Sequence, residues 1–250
     1  MAVLSLLKRE IRENLFSTAV ILLLTLVFYI FLYTRTTVNT LPVILAVIYI
    51  PLFVFPVYIL FMGYRMFSKE WHNNTIFMLK SFPRTGYEIV LAKMLQVLLI
   101  ILVFMLVSGS GIYLILSTNY SVLVQFLPDE INYLNWSAII SWSSMGYLWL
   151  CGFIYFTAQL SGLISFISGN FRWLIAIIVF YLTHYLTVRL GGYIFLLFSW
   201  FPNLNLNLIN TATEEMNFIS INGGALLTAI LILIFLFTGC GYIYEKVLEV

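Results

Sequence analysis

Charged residues are scarce in this chain. Only 9% of its 250 residues are Asp, Glu, Lys or Arg, whereas a soluble globular domain is nearer a quarter charged. So few charges cannot cover a water-facing surface, because hydrophobic residues make up 62% of the chain and most of its outside must therefore face lipid. The formal net charge of +2 is also too small to indicate a nucleic-acid partner.

The residue patterns that support catalysis, metal binding or cofactor binding are also missing. The chain has no Gly-rich phosphate-binding loop, no Gly-x-Ser-x-Gly elbow and no His-Glu-x-x-His. Cys151 and Cys240 lie inside apolar runs, so we interpret them as small buried hydrophobes rather than a disulfide or metal ligands. His72 and His184 are predicted on opposite sides of the membrane, with His184 near the outer end of the fifth span. The sequence therefore predicts no enzyme, no cofactor and no metal site.

Long apolar runs are what the chain has instead. A membrane-spanning helix needs about 20 mostly apolar residues. The sequence predicts an all-α integral membrane protein with one transmembrane domain, residues 1–250, and six spans at residues 16–33, 41–62, 94–116, 136–167, 173–188 and 224–244. The fourth run is too long for one straight crossing. We expect it to begin with an interfacial segment around residues 136–144 and to break or tilt near Gly146 or Gly152.

The basic residues predict the orientation of these spans. With the N-terminus inside, all of the 12 Lys and Arg residues except Arg35 and Arg189 lie on the cytoplasmic side. This agrees with the positive-inside rule. The expected location is a bacterial inner membrane, crossed several times, with both termini in the cytoplasm.

The N-terminal segment, residues 1–15, has an amphipathic pattern. Its stripe of Leu4, Leu7, Ile11 and Leu15 leaves the charged residues on another face. The pattern predicts an interfacial helix on the inner membrane surface before the chain enters the bilayer. The alternative is that the segment simply continues the first span into water.

Three prolines lie in the second predicted span. Pro42 suits the start of a helix, whereas Pro51 and Pro56 each remove a backbone donor and should kink the helix. In lipid such a kink is tolerated where neighbouring groups satisfy the freed carbonyls.

Between the fifth and sixth spans, an apolar run at residues 193–201 is too short to cross the membrane. Residues 193–210 are therefore expected to form a re-entrant pair of short helices or an external interfacial helix.

No Asp, Glu, Lys or Arg is predicted near the middle of a span, so energy for uphill transport is expected to enter from outside the bilayer. We expect this energy to be transmitted through the polar loop at residues 65–93. Residues 75–82 could form a short amphipathic helix that ends before Pro83, and a second helix could begin near Thr85 and run into the third span. The alternative is an ordinary loop whose basic residues serve topology only.

This loop resembles the segment between the second and third spans of ABC-2 type transporter permeases. The residues that match that family's pattern, in order, are Glu70, Asn74, Thr75, Met78, Leu79, Ser81, Pro83, Arg84 and Lys93. Two positions depart from it, since Asn74 stands where Gly is commoner and Phe82 separates Ser81 from Pro83.

The resemblance implies a mechanism and partners. Residues 74–82 would be a cytoplasmic coupling helix that docks on a separate ATP-binding cassette ATPase, with Glu70 and the matched residues from Asn74 to Arg84 at that contact. A second permease copy, or a sister permease, would complete the path through the membrane lipid. The expected cargo is an amphipathic or hydrophobic peptide or an antibiotic-like compound, with lipid-linked polymer as the second choice. A secondary carrier or channel driven by an ion gradient is the alternative function.

Overall fold

Nearly all of the chain that can be described is helical. The computed structural model describes residues 2–37, 40–72, 85–119, 136–167, 172–209 and 216–249. The elements within these ranges are α1 (Ala2–Arg35), α2 (Leu41–Val47), α3 (Ile50–His72), α4 (Gly86–Thr118), α5 (Trp136–Ile167), α6 (Arg172–Leu197), β1 (Asn203–Ile209), β2 (Met216–Asn222) and α7 (Gly223–Glu249).

The prediction of six spans is confirmed. Among the residues that the structure describes, six helical stretches are long and apolar enough to cross a membrane, with α2 and α3 counting together as the second. A chain with six such stretches is a multi-pass membrane protein.

The helices pack so that both ends of the chain lie at one end of the bundle. We call this the terminal end; it holds the starts of α1, α4 and α6 and the ends of α3, α5 and α7. The opposite hairpin end holds β1 and β2. α1 packs along α4, α3 along α5, and α7 against α4, α5 and α6. The main core lies among α3, α4, α5 and α7, and a smaller cluster joins α1, α2 and α4 near the hairpin end.

A separate interfacial helix at the N-terminus is not observed, because residues 2–35 form one uninterrupted helix. The continuous helix fits the alternative, a segment that continues the first span. Leu4, Ile11 and Leu15 of the apolar stripe face away from the bundle, whereas Leu6 and Glu10 are buried against it. Lipid allows this arrangement. Apolar side chains can face outward, and a charged one is buried where it finds partners.

The second span is interrupted as its prolines predict. α2 begins with Pro42 in its first turn, and the helix breaks between Val47 and Ile50, just before Pro51. At this break the hydroxyl of Tyr29 on α1 donates to the carbonyl of Ile48, with 3.2 Å between the two oxygens. A neighbouring helix thus satisfies a carbonyl that the interrupted helix leaves open.

The fourth span does not break. α5 runs from Trp136 to Ile167 as one helix, so the predicted break near Gly146 or Gly152 is wrong. In an apolar setting the intrahelical hydrogen bond has no competitor, and an isolated glycine does not end the helix.

The fifth span is longer than predicted, and the segment after it forms neither a re-entrant pair nor an interfacial helix. α6 continues through Gly191 and Gly192 to Leu197, which absorbs the start of the apolar run at residues 193–201. Residues 203–209 and 216–222 then form an antiparallel hairpin with Asn203 opposite Asn222 and Ile209 opposite Met216.

Two glycines allow close approach of helices. A side chain at Gly63 would lie 2.9 Å from the Tyr155 carbonyl oxygen and 3.1 Å from the Ala158 Cβ, so α3 and α5 touch there. A side chain at Gly241 would overlap the ring of Tyr87, so α7 and the start of α4 also touch.

Candidate functional site at the terminal end

The residues that the sequence assigns to partner coupling lie largely outside the described part of the chain. Glu70 is in the last turn of α3, where only the backbone is described. The others lie outside the described residues: Asn74, Thr75, Met78, Leu79, Ser81, Pro83 and Arg84. The predicted coupling helix, residues 74–82, therefore stays a prediction.

The helix that follows these residues, α4, begins with a cap and packs closely on α7. α4 begins at Gly86, as the sequence predicts, and the side-chain oxygen of Thr85 accepts a hydrogen bond from the backbone N–H of Glu88 at 3.4 Å. This is an N-cap, which satisfies one of the free donors of the first turn. Gly86 lies directly against the backbone of α7, since a side chain there would come within 2.6 Å of the Gly241 carbonyl oxygen.

A cluster of charges is buried where α1 crosses the first turns of α4. We call Arg9, Glu10, Glu13, Lys93 and Gln96 the charged cluster. Lys93 Nζ lies 3.1 Å from Glu10 Oε1, and the two side chains are only 1% and 6% exposed. Arg9 Nη2 lies 2.9 Å from the same carboxylate oxygen. The amide nitrogen of Gln96 donates to the Glu10 backbone carbonyl at 2.8 Å.

The charges in this cluster balance. Arg9 also reaches Glu13, with 3.6 Å between Nε and Oε1, so two cations face two carboxylates. Taking either charge out of water costs several kcal/mol unless a partner is present at hydrogen-bonding distance. The Glu10–Lys93 pair is therefore a strong geometric constraint on how α1 sits against α4, whereas the half-exposed Arg9–Glu13 contact adds little.

The charged cluster connects α1 to the start of α4. Lys93 is in the second turn of α4, the helix that begins soon after residues 73–84. Two side chains of α4 hold Glu10, Lys93 through the carboxylate and Gln96 through the backbone carbonyl, so the start of α4 and the N-terminal third of α1 are linked. The sequence places Lys93 at the start of the third span but does not single out its partner, because Glu10 stands among four other charged residues, Lys8, Arg9, Arg12 and Glu13.

A second polar position lies far from this cluster. His184 is halfway along α6 rather than near its end, because the helix continues past Gly191 and Gly192. It lines a cavity of about 580 Å³ between α5, α6 and α7, whose walls also include Trp149, Thr187 and Thr228. The imidazole packs beside the Phe153 ring, with 5.5 Å between ring centroids. The expected location of His184 at the outer end of the span is wrong.

Neither polar position resembles a metal site. Within the ranges that the structure describes, no three His, Cys, Asp or Glu side chains come together. Comparisons with protein-family models, curated proteins and solved structures find no match for this chain.

Proposed function

We propose that this chain is the permease subunit of an ATP-driven ABC exporter, with ATP hydrolysed by a separate partner chain. The observation that carries the proposal is the buried Glu10–Lys93 pair. It ties α1 to the helix that emerges from the loop resembling an ABC-2 coupling segment. Force applied to that loop would reach two spans at once.

The composition of the bundle supports the same proposal. The buried ion pair lies near the terminal end, and the described spans consist mainly of apolar side chains. Such a bundle contains little that could couple transport to ion binding. On this proposal the ATPase is another polypeptide, docked on residues 74–84 and on Glu70.

The proposed assembly contains two permease chains and two ATPases. Six spans are too few to enclose a wide route, so a second copy or a sister permease would supply the other wall. The apolar surfaces suit an amphipathic or hydrophobic cargo, such as a membrane-active peptide or an antibiotic-like compound. On this proposal the chain itself has no enzymatic activity.

Co-purification tests the assembly. The tagged chain, isolated from its native membrane in mild detergent, is expected to bring down a chain with a phosphate-binding loop and ATPase activity. Glu70→Ala should weaken that association, because the carboxylate stands at the loop's start. Glu215→Ala, which the charge pattern places on the other side of the membrane, is the matched control. A chain that transports in proteoliposomes with an ion gradient and no ATPase would contradict the proposal.

His184 favours a second candidate, a carrier driven by a proton gradient. It is an ionisable side chain halfway along a span, exposed on the wall of an open groove, and an ionisable group at that depth marks a candidate proton pathway. The His184→Gln variant separates the two functions. It should abolish uptake driven by a pH gradient in a carrier, and should leave the stimulation of a partner ATPase intact in an exporter.

A further inference from the structure

Pro56 lies inside α3, the long part of the second span, without ending the helix. In an α-helix the N–H of residue 56 would bond to the carbonyl of residue 52. Proline has no N–H, so the carbonyl of Leu52 loses its helical partner. In lipid such a carbonyl needs another donor.

That donor comes from a different helix. The hydroxyl of Tyr147 on α5 donates to the Leu52 carbonyl, with 3.0 Å between the oxygens. The ring of Tyr147 lies nearly parallel to that of Phe104, at 6.4 Å between centroids. Phe104 in turn stacks at 3.7 Å on Phe55, the residue before the proline. Three helices thus meet at the point where α3 lacks a backbone bond.

The two halves of the second span belong to different packing groups. Ile44 and Ile48, towards the hairpin end, are buried with Tyr29 and Leu32 of α1 and with Ile115 of α4. Beyond Pro56, α3 packs tightly on α5, where Gly63 lets the backbones touch at Tyr155, while Tyr58 still reaches α1, with 3.2 Å between its hydroxyl and Thr18 Oγ1. The proline therefore stands between residues 44–48, which pack on α1 and α4, and the part of α3 that packs mainly on α5. The Tyr147–Leu52 bond crosses this division.

Open grooves between helices adjoin the proline on two sides. A cavity of about 280 Å³ lies between Pro56, Val57 and Leu60 of α3 and the α6 residues Phe180 and Tyr181. A smaller one of about 120 Å³ separates Pro51 and Phe55 from α1. A change of bend at Pro56 would therefore meet little steric resistance.

We propose that Pro56 is a hinge of the second span and that the hydrogen bond from Tyr147 to Leu52 is the latch that holds it in the bend seen here. Breaking the latch lets the half of the span made by residues 41–55 swing, together with its α1 and α4 contacts, away from α5. The half from Val57 onward stays on α5 and gives up the contact of Tyr58 with Thr18 of α1. This device depends on neither the energy source nor the cargo of the protein.

Distances between paired spin labels test the hinge in the full-length chain in lipid nanodiscs. One pair, Val43→Cys with Met145→Cys, spans the division near the hairpin end; the other, Phe61→Cys with Ile177→Cys, lies beyond the hinge. All four side chains are exposed, and Cys151 and Cys240, both buried, are replaced by Ala.

Tyr147→Phe removes only the latch hydroxyl. It should raise the ratio of long to short distances in the first pair about fivefold, the factor for a net hydrogen bond of about 1 kcal/mol. The second pair should not change.

The proline supplies the decisive second variant. Pro56→Ala gives residue 56 an N–H that can bond the Leu52 carbonyl, so Tyr147→Phe should have no effect on the first pair in that background. Tyr181→Phe, which removes a hydroxyl from an exposed residue of α6, is the control for losing a phenol.

The hinge would be overturned by any of three results: unchanged first-pair distances in Tyr147→Phe, equal broadening of both pairs, or broadening that persists with Pro56→Ala. If Tyr147→Phe does not fold, Pro56→Ala alone should narrow the first-pair distribution of the parent, and failure to narrow it overturns the proposal.

Discussion

Individual polar side chains in this bundle are informative because each is costly to bury. Glu10 and Lys93 are buried as partners. The hydroxyls of Tyr29 and Tyr147 donate hydrogen bonds to the carbonyls of Ile48 and Leu52 in the second span. Gln159 differs, since it is fully buried and neither amide atom has a hydrogen-bond partner. A buried polar group is stabilising only where its partner is present, so these residues should respond to mutation in opposite directions.

The first prediction concerns the Glu10–Lys93 pair. Lys93→Ala leaves the Glu10 carboxylate buried with less compensation and should lower the free energy of unfolding by about 3 kcal/mol. The double variant Glu10→Gln, Lys93→Met removes both charges and should recover most of that loss. Thermal unfolding in detergent, followed with a thiol-reactive dye, measures both, because Cys151 and Cys240 are buried until the bundle opens. A double variant less stable than Lys93→Ala would show that the pair is not what holds α1 to α4.

The second prediction compares two buried glutamines. Gln159→Leu replaces an unsatisfied amide by an apolar side chain of similar size, so it should raise the free energy of unfolding by about 1 kcal/mol or more. Gln96→Leu is the matched control and should lower it, because it removes the bond to the Glu10 carbonyl. The same thiol-dye assay measures the two variants. Destabilisation by Gln159→Leu would contradict the absence of partners for this amide.

At the scale of helices and strands, the spans were predictable because length and apolarity decide them. The residues at which the spans end were not predictable. Gly191 and Gly192 look like a helix end in water, yet α6 continues through them because lipid offers the backbone no other partner. The sequence does contain a pattern for the first strand of the hairpin: residues 203–208 alternate Asn and Leu, a period of two that is typical of a strand.

The charged cluster was only half predictable at this scale. Lys93 was placed at the start of a span, but its pairing with Glu10 joins positions 83 residues apart. Periodicity along one helix cannot show which face meets a distant helix.

The third prediction concerns the spacing of α4 and α7. Gly241→Leu should push the helices apart, because a side chain there overlaps the Tyr87 ring, and should cost about 1–3 kcal/mol. Gly239→Leu, two residues earlier, is the control, since a side chain at that position meets nothing within 4 Å. Equal unfolding temperatures for the two variants would mean that this contact does not set the helix spacing.

At the scale of the whole molecule, the described residues form six helical stretches that could each cross a membrane, and an even number of crossings would return the chain to its starting side. The start of α1 and the end of α7 share the terminal end, and the hairpin lies at the other. The distribution of basic residues predicts that the terminal end is cytoplasmic.

The fourth prediction tests this topology. Single cysteines are introduced for Lys8, Lys246 and Ser199, all exposed, in a chain whose native cysteines are replaced by Ala. A membrane-impermeant maleimide added to intact cells should label only the Ser199 position. After the membrane is opened with detergent, all three should react. Labelling of the Lys8 and Lys246 positions from opposite sides would contradict an even number of crossings.

The buried Glu10–Lys93 pair also sets an order of assembly during synthesis. Glu10 is synthesised 83 residues ahead of Lys93, a wait of roughly 4 to 17 s at ordinary rates of translation. Throughout that time its carboxylate lacks the α4 partner that allows its burial, and such a charge is excluded from the hydrocarbon. The first turns of α1 must therefore stay at the water boundary until the third span is made. Only then can they dock, so the third span completes the insertion of the first.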